Sequence, residues 1–561
     1  MKTSKLGFNL IHKRFPYAVF LLLTWLILII PLIDTKIIPG HDYVFHVSRI
    51  LNIADGLQDG VFPLRIYADE MTFWGAPVGI FYPSLFLYFP ALLKVTGVPI
   101  EICYNLFISL TILAGAFSSW LGFSILTRSK KKGLFVALFF ISSGYYLSDA
   151  YIRSAVGELL GLSFMPLAAA CIQAVITKSR VSKKKYILGV LSVSAVIQSH
   201  VLSCYFLLLF ALVNLIIQYK TISLAKVYRF FLFSLVLLLL NANFIFPFVF
   251  FYKTVPVFID YVENFSQNGW PTKILTRFLV LWNFCLLAAI CLFICIFTRN
   301  PFTRLNLQKR YLKAYFPVFI SGIVFLFMSD NIFPWDILLP LKKIFEILQF
   351  PWRLLGISTM CFSACAALAV EEVFRKKRFK NSMVFLIMSF ICIVNVIAFN
   401  RFTPLPSSAH WQMPAKVYWE RKQSPSYSDY MYKNMNINEF LRQGNNFLTS
   451  TSASIGHYNK KGTNISFSYN AKENTVIVLP LINYPGYAAA DQSGQKIKIE
   501  ENDNHMISIK LPKGTGTIKV WYEGLFLYTV ADYLSILSAI VFIVFINHRR
   551  AEDFFCLSAH F

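Results

Sequence analysis

Long apolar runs alternate with short basic loops through residues 1–399, and this pattern sets the first expectation. Runs at 16–33, 101–127, 133–148, 155–177, 186–199, 201–219, 230–251, 275–297, 315–329, 354–371, 382–399 and 524–547 read as spans, because about 20 apolar residues cross the hydrocarbon core of a bilayer. The predicted fold is an α-helical polytopic membrane protein with about 12 transmembrane helices. The first run follows Lys2, Lys5, Lys13 and Arg14 and has no small-residue cleavage site, so it reads as a retained helix. Residues 79–97 are nearly long enough to cross, but Pro83 and Pro90 interrupt them. They are expected to re-enter or to lie along the outer surface. Segments 133–148, 186–199 and 315–329 are short for spans. Basic residues pin their cytoplasmic ends, so the deficit falls outside and leaves a cavity open to the outer leaflet.

Residues 400–523 break the pattern. After an irregular stretch over 401–445, ISFSYNA, NTVIVLPLI, QKIKIEE, HMISIKLP and TIKVWYEG alternate apolar and polar positions with turn signals between them. They predict a small extracytoplasmic all-β domain, sandwich-like, between a transmembrane domain (1–399, with a first outer loop at 34–100) and a last span with a cytoplasmic tail (524–561).

Composition and charge then narrow the class. The chain is 56% hydrophobic and only 14% charged, against about 25% charged in soluble domains, which excludes a soluble enzyme. Its +25 net charge would suit nucleic acid, but the basic residues cluster at every second loop: 128–132, 178–185, 220–229, 299–313 and 375–380. With both termini these clusters hold about +24, which is the positive-inside signal of a multi-pass protein with N- and C-termini in the cytoplasm. No nucleic-acid partner is expected. Nine of the ten cysteines lie in or beside apolar segments and read as small core residues.

The outer loops hold the candidate chemistry. Asp42, His46 and Arg49 fall at i, i+4 and i+7 on one helical face. Such a face can supply a base and a phosphate clamp; the same spacing fits a surface helix braced by salt bridges. The following WGAPVGIFYP, with Tyr82, has the composition of a pocket-shaping loop or of a tight turn. Arg153 and Glu158 in SDAYIRSAVGELLGLSFMPL are ionisable groups within an apolar pattern, either functional or a structural ion pair. His200 lies at a junction of short spans, as a ligand-facing or a structural histidine. Arg353 in LQFPWRLL stands at the head of a span, where a cation can hold a lipid phosphate or anchor the interface. There is no P-loop, dinucleotide fingerprint, HExxH, Cys/His zinc set or DxD pair. No cofactor is expected, with a divalent metal left open, and no metal ligand is assigned.

Taken in order, GHDYVFHVSRI, WGAPVGIFYP, YIRSAVGELLGLSFMPL, SH, LQFPWRLL and NYPGY resemble bacterial membrane proteins labelled "6-pyruvoyl-tetrahydropterin synthase-related", the YfhO-like branch of the GT-C glycosyltransferase superfamily. The resemblance runs from about residue 38 to about residue 525. The pterin label has no chemical support, since the zinc-binding histidines of a pterin synthase are absent. The resemblance implies a transferase in the bacterial plasma membrane. It would move a sugar from a polyprenyl-phosphate donor to an envelope glycan or protein acceptor on the outer face. It implies Asp42 as catalytic base, Arg353 as phosphate ligand and Glu158 with Arg153 as the next site pair; His46, Arg49, Tyr82 and His200 join them as substrate-binding candidates read from the residues. Donor and protein would meet through membrane lipid. The rival readings are a carrier or flippase for a lipid-linked sugar or envelope polymer, and a scaffold whose β block binds wall polymer.

Overall fold

The computed structural model describes residues 17–257 (except 34–36, 39 and 70–73), 318–375, 430–433 with 435, and 452–547. The expected spans at 275–297 and 382–399 and the irregular stretch at 401–429 lie outside the described residues.

The described helices are α1 (Tyr17–Leu28), α2 (Tyr43–Gln58), α3 (Val78–Phe81), α4 (Tyr88–Val95), α5 (Ile100–Thr127), α6 (Lys130–Ile141), α7 (Gly144–Tyr151), α8 (Val156–Thr177), α9 (Lys183–Ile197), α10 (Val201–Ile217), α11 (Leu224–Leu240), α12 (Ala242–Thr254), α13 (Val318–Met328), α14 (Leu339–Phe345), α15 (Leu355–Arg375) and α16 (Phe526–Asn547). Three of them, α5, α8 and α16, are long and apolar enough to cross a membrane. The number rises to five if the bent pairs α6–α7 and α11–α12 each count as one span. Against the expectation of about 12 transmembrane helices, the described residues thus hold three to five, with two of the expected runs lying outside them.

Both bends have local causes. At the 50° bend between α6 and α7, Ser142 turns its hydroxyl back to the Leu138 carbonyl. Ser143 then accepts from the Tyr146 N–H as the N-cap of α7, which ends one helix and starts another within two residues. At the 82° bend between α11 and α12, Asn241 ends one helix and begins the next. The run 230–251 is thus long and largely apolar and still not one helix. Residues 79–97 resolve into short pieces, α3, a 3-10 turn at Leu85–Leu87, and α4.

Helices α5, α6 and α8 form the centre of the bundle, with α9 and α10 on α8 and α15 on α6. The α5–α8 contact is close because Gly122 faces the backbone of Pro166, where a Cβ would come within 2.5 Å. Small residues allow such backbone approach between apolar helices.

The β block is a sandwich of a five-stranded sheet, ordered β1-β2-β8-β4-β5, on a three-stranded sheet, ordered β3-β7-β6. Its strands are β1 (Ala453–Lys461), β2 (Asn464–Ala471), β3 (Thr475–Ile482), β4 (Tyr487–Asp491), β5 (Lys496–Ile497), β6 (Glu500–Glu501), β7 (Met506–Leu511) and β8 (Gly514–Tyr522). Phe467, Ile477, Leu479, Ile509 and Ile518 fill the space between the sheets. The register of β3 with β7 shifts between Val478 and Ile482. Pro480, which has no N–H to give to a ladder, lies inside that shift. QKIKIEE, read as one strand, is split into β5 and β6 in different sheets, while β1 and β4 were not expected. The block meets the first outer loop through Ile482 N–H to the Trp74 carbonyl (3.1 Å) and Lys461 to Asp59 (2.7 Å).

Candidate active site

The centre of the site is the four-residue link between α7 and α8. Asp149 on α7 and Arg153 in the link are four residues apart, and their side chains pair directly. The backbone N–H of Arg153 bonds the Ser148 carbonyl and that of Ala155 the Asp149 carbonyl. Ser154 turns the chain at φ 54°. This tight reversal delivers Glu158, in the first turn of α8, to the other side of the same guanidinium at 3.0 Å. Tyr145, one turn before Asp149 on α7, donates its hydroxyl to the second Glu158 oxygen at 2.5 Å. Arg153 is thus held by two buried carboxylates, and Trp352 covers it at 4.3 Å.

A second guanidinium arrives from far along the chain. Arg353 sits in the short 3-10 turn Pro351–Leu354. Its Nη1 donates to the Leu348 carbonyl at 3.1 Å. Its Nε stands 3.9 Å from Glu158 Oε2, is buried, and has no hydrogen-bond partner among the described residues. Phe350 and Trp352 flank it at 5.5 and 5.9 Å. The two arginines therefore differ: one is saturated by acids, and the other keeps an open valence.

Asp42 lies against the same link. Its backbone N–H donates to the Arg153 carbonyl at 2.8 Å, and that of His41 to the Ile152 carbonyl at 3.1 Å. Asp42 is the N-cap of α2 by position, yet its side chain makes no capping bond to its own helix. The carboxylate is half-buried. Burial pushes its pKa above the ordinary 3.8, and the Arg153 and Arg353 charges pull it back. It is thus a carboxylate held partly desolvated beside two cations, more basic than a surface aspartate.

His46, Arg49, Tyr82 and His200 assemble behind this centre. Arg49 is fully buried and donates to the Pro83 carbonyl at 2.6 Å and the Ser84 hydroxyl at 3.1 Å. It also stacks on the Tyr82 ring at 4.2 Å. His46 Nδ1 lies 3.3 Å from Arg49, and burial with that charge drives its pKa well below 6.5. Tyr82 packs against both His46 and His200, at 5.8 and 5.7 Å. Gly157 admits the Tyr82 hydroxyl so closely that a Cβ there would lie 2.2 Å from it. His200 is tied to Ser203 at 3.1 Å. In this arrangement Arg49 ties down the loop 82–84 through its backbone, and the neutral His46 and the Tyr82 ring form the wall between that loop and the link.

Asp42, Arg153, Glu158 and Arg353 are thus brought to one place, and the other four form its backing. Tyr145 and Asp149 complete the centre. Asp149 is legible in the sequence as an acid in an apolar run, whereas Tyr145 is one aromatic among many. The i, i+4 spacing of Tyr145, Asp149 and Arg153 was the available signal. Among the described residues no three His, Cys, Asp or Glu side chains gather as a metal-ligand set.

No family model matches the chain, and no curated protein matches it. Several solved structures do. Arabinofuranosyltransferase AftD from Mycobacteria is 15% identical over 71% of this chain, with a TM-score of 0.44. ArnT from Cupriavidus metallidurans, solved bound to undecaprenyl phosphate, is 11% identical over 76% of this chain and 75% of its own, with a TM-score of 0.42. The oligosaccharyltransferase AglB from Archaeoglobus fulgidus, solved with an inhibitory peptide and a dolichol-phosphate, is 11% identical over 73% of this chain and 58% of its own, with a TM-score of 0.40. The chain spans only 27% of the length of the AftD chain it matches. Likeness of this degree transfers no residue role.

Proposed function

We propose that this protein is an integral membrane glycosyltransferase of the GT-C type. It takes a sugar from a polyprenyl-phosphate carrier and passes it to an envelope acceptor on the outer face of a bacterial plasma membrane. Arg353 carries this reading: a half-buried guanidinium whose buried Nε has no hydrogen-bond partner among the described residues, its charge acting on an Asp42 carboxylate that makes no capping bond. A guanidinium in that condition suits an incoming phosphate oxygen. Asp42 is then the base. The acceptor hydroxyl attacks the anomeric carbon, Asp42 takes its proton, and the bond from that carbon to the phosphate oxygen breaks. The departing phosphate keeps the electron pair, and Arg353 offsets its charge. One displacement of this kind inverts the anomeric centre. Arg153, already committed to Asp149 and Glu158, positions the Asp42 backbone and does not bind phosphate. The sequence resemblance supports the same assignment of Asp42.

One assay tests both roles, with a labelled polyprenyl-phosphate sugar and the full chain in membranes. Asp42→Asn should lower kcat by about 100-fold or more, the usual range for a lost general base. Arg353→Gln should raise the KM for the donor while the protein expresses normally. Wild-type transfer by well-expressed Asp42→Asn would remove the base and the mechanism with it.

A further inference from the structure

The β block carries a groove that the transfer reading does not use. In the five-stranded sheet, Gly456, Ser468 and Thr517 are cross-strand neighbours on β1, β2 and β8, and Ser454, Asn470 and Thr515 form the next row. Phe467, Ala471 and Ile518 are out of phase with these positions and fill the sandwich core. The six small residues therefore share the opposite face. With His457 and Gln492 they border a groove of about 490 Å³, inside the range of roughly 300–1,000 Å³ typical of ligand sites.

Two backbone features shape it. The β1–β2 register shifts between Gly456 and Asn459, and His457 at that shift has φ 45°, a bulge that re-aims the edge strand. Beneath the groove floor, on the core-facing side of the sheet, Gly516 lets the Tyr469 ring lie on the backbone, where a Cβ would come within 2.8 Å of it. Apart from His457, Ile455 and Tyr469, the lining is hydroxyl, amide and glycine. No Lys, Arg, Asp or Glu belongs to it. No hydrogen bond within the described protein engages the side chains of Ser468, Asn470, Thr515, Thr517 or Gln492. They present an array of free donors and acceptors without charge.

We propose that this groove binds a neutral, hydroxyl-rich glycan chain. Each sugar hydroxyl both donates and accepts, which matches hydroxyl and amide side chains in turn. A phosphate-bearing or uronic polymer would find no Lys or Arg in the lining. An apolar segment would bury these polar groups unpaired, at a cost of about 1–3 kcal/mol each. The proposal does not rest on the transferase reading. If both hold, the groove names the acceptor class as a neutral glycan.

The test is a binding titration of the full chain, in a detergent without a sugar head group, against cellohexaose, maltohexaose and chitohexaose, with hexagalacturonate as the charged comparison. At least one neutral hexasaccharide should bind with a Kd of about 1 mM or below. Thr517→Trp, which fills the groove, should weaken it by more than about tenfold. Asn470→Ala, a milder change at an exposed position, should weaken it less. Asp42→Asn should bind as the wild type does, so loss of transfer and loss of glycan binding are separable. The proposal is overturned if no neutral hexasaccharide binds below about 10 mM, if hexagalacturonate binds as tightly, or if both groove variants leave the Kd unchanged.

Discussion

Two breaks between apolar helices among the described residues, the α7–α8 link and the bend between α11 and α12, are built with opposite chemistry. The α7–α8 link gathers two arginines and two buried acids, with a third acid alongside, and leaves Arg353 Nε without a hydrogen bond among the described residues. The bend between α11 and α12 gathers only neutral groups. Gln198 donates to Asn241 and Asn243 at 3.2 and 3.1 Å, Asn241 donates to Ser194 at 2.9 Å, and the Asn243 N–H bonds Ser535 on α16 at 2.8 Å. A break that only has to hold its shape can satisfy its freed backbone and amide groups internally. A break that has to bind something keeps charge in reserve, and charge at that depth is costly.

The comparison breaks most visibly at Arg153. Arg153→Met would leave Asp149 and Glu158 facing each other without their shared cation, which typically costs about 3–5 kcal/mol for a buried pair broken on one side. The expected outcome is a large fall in folded yield and in the thermal midpoint measured by tryptophan fluorescence. A variant that folds normally would show that the two acids are held by something other than Arg153.

The neutral bend should respond less. Asn241→Leu removes the hub of the amide network and leaves Gln198 short of one acceptor, at about 1–3 kcal/mol for the group left unpaired. The midpoint should drop, while the folded fraction keeps its donor KM and kcat. Loss of transfer in folded Asn241→Leu protein would bring this bend into the site and erase the distinction between the two.

The same contrast explains what could be read beforehand. Ionisable residues in apolar runs were conspicuous, so Arg153, Glu158 and Arg353 stood out without any structure. Their partners did not, because the Arg153–Arg353 pairing on one carboxylate joins segments about 200 residues apart. Arg49 looked like a phosphate clamp because a sequence displays its charge and hides the Pro83 carbonyl it serves. The α11–α12 bend was hidden by apolar side chains on both sides of it, although Asn241, Asn243 and Pro247 mark the place. In the β block, strong alternation exposed β2, β3, β7 and β8. Edge strand β1 (ASIGHYNKK) is mostly exposed and lacks that alternation, and β4 (YAAAD) has too little apolar bulk to register.

The finest test concerns Asp42 itself, the acid that lies against the charged link without being saturated by it. Its carboxyl is pushed up by burial and held down by Arg153, Arg353 and, least of these three, His41. A base works only while ionised, so transfer should fall as pH drops through the Asp42 pKa. The His41 charge is one of those that favour the carboxylate, so His41→Gln removes it. The Asp42 pKa then rises, and the acid limb of the kcat/KM profile moves to higher pH. His41 is exposed, so this shift should shrink as salt is added. An acid limb that does not move at low salt would mean that Asp42 is not the group titrating in it.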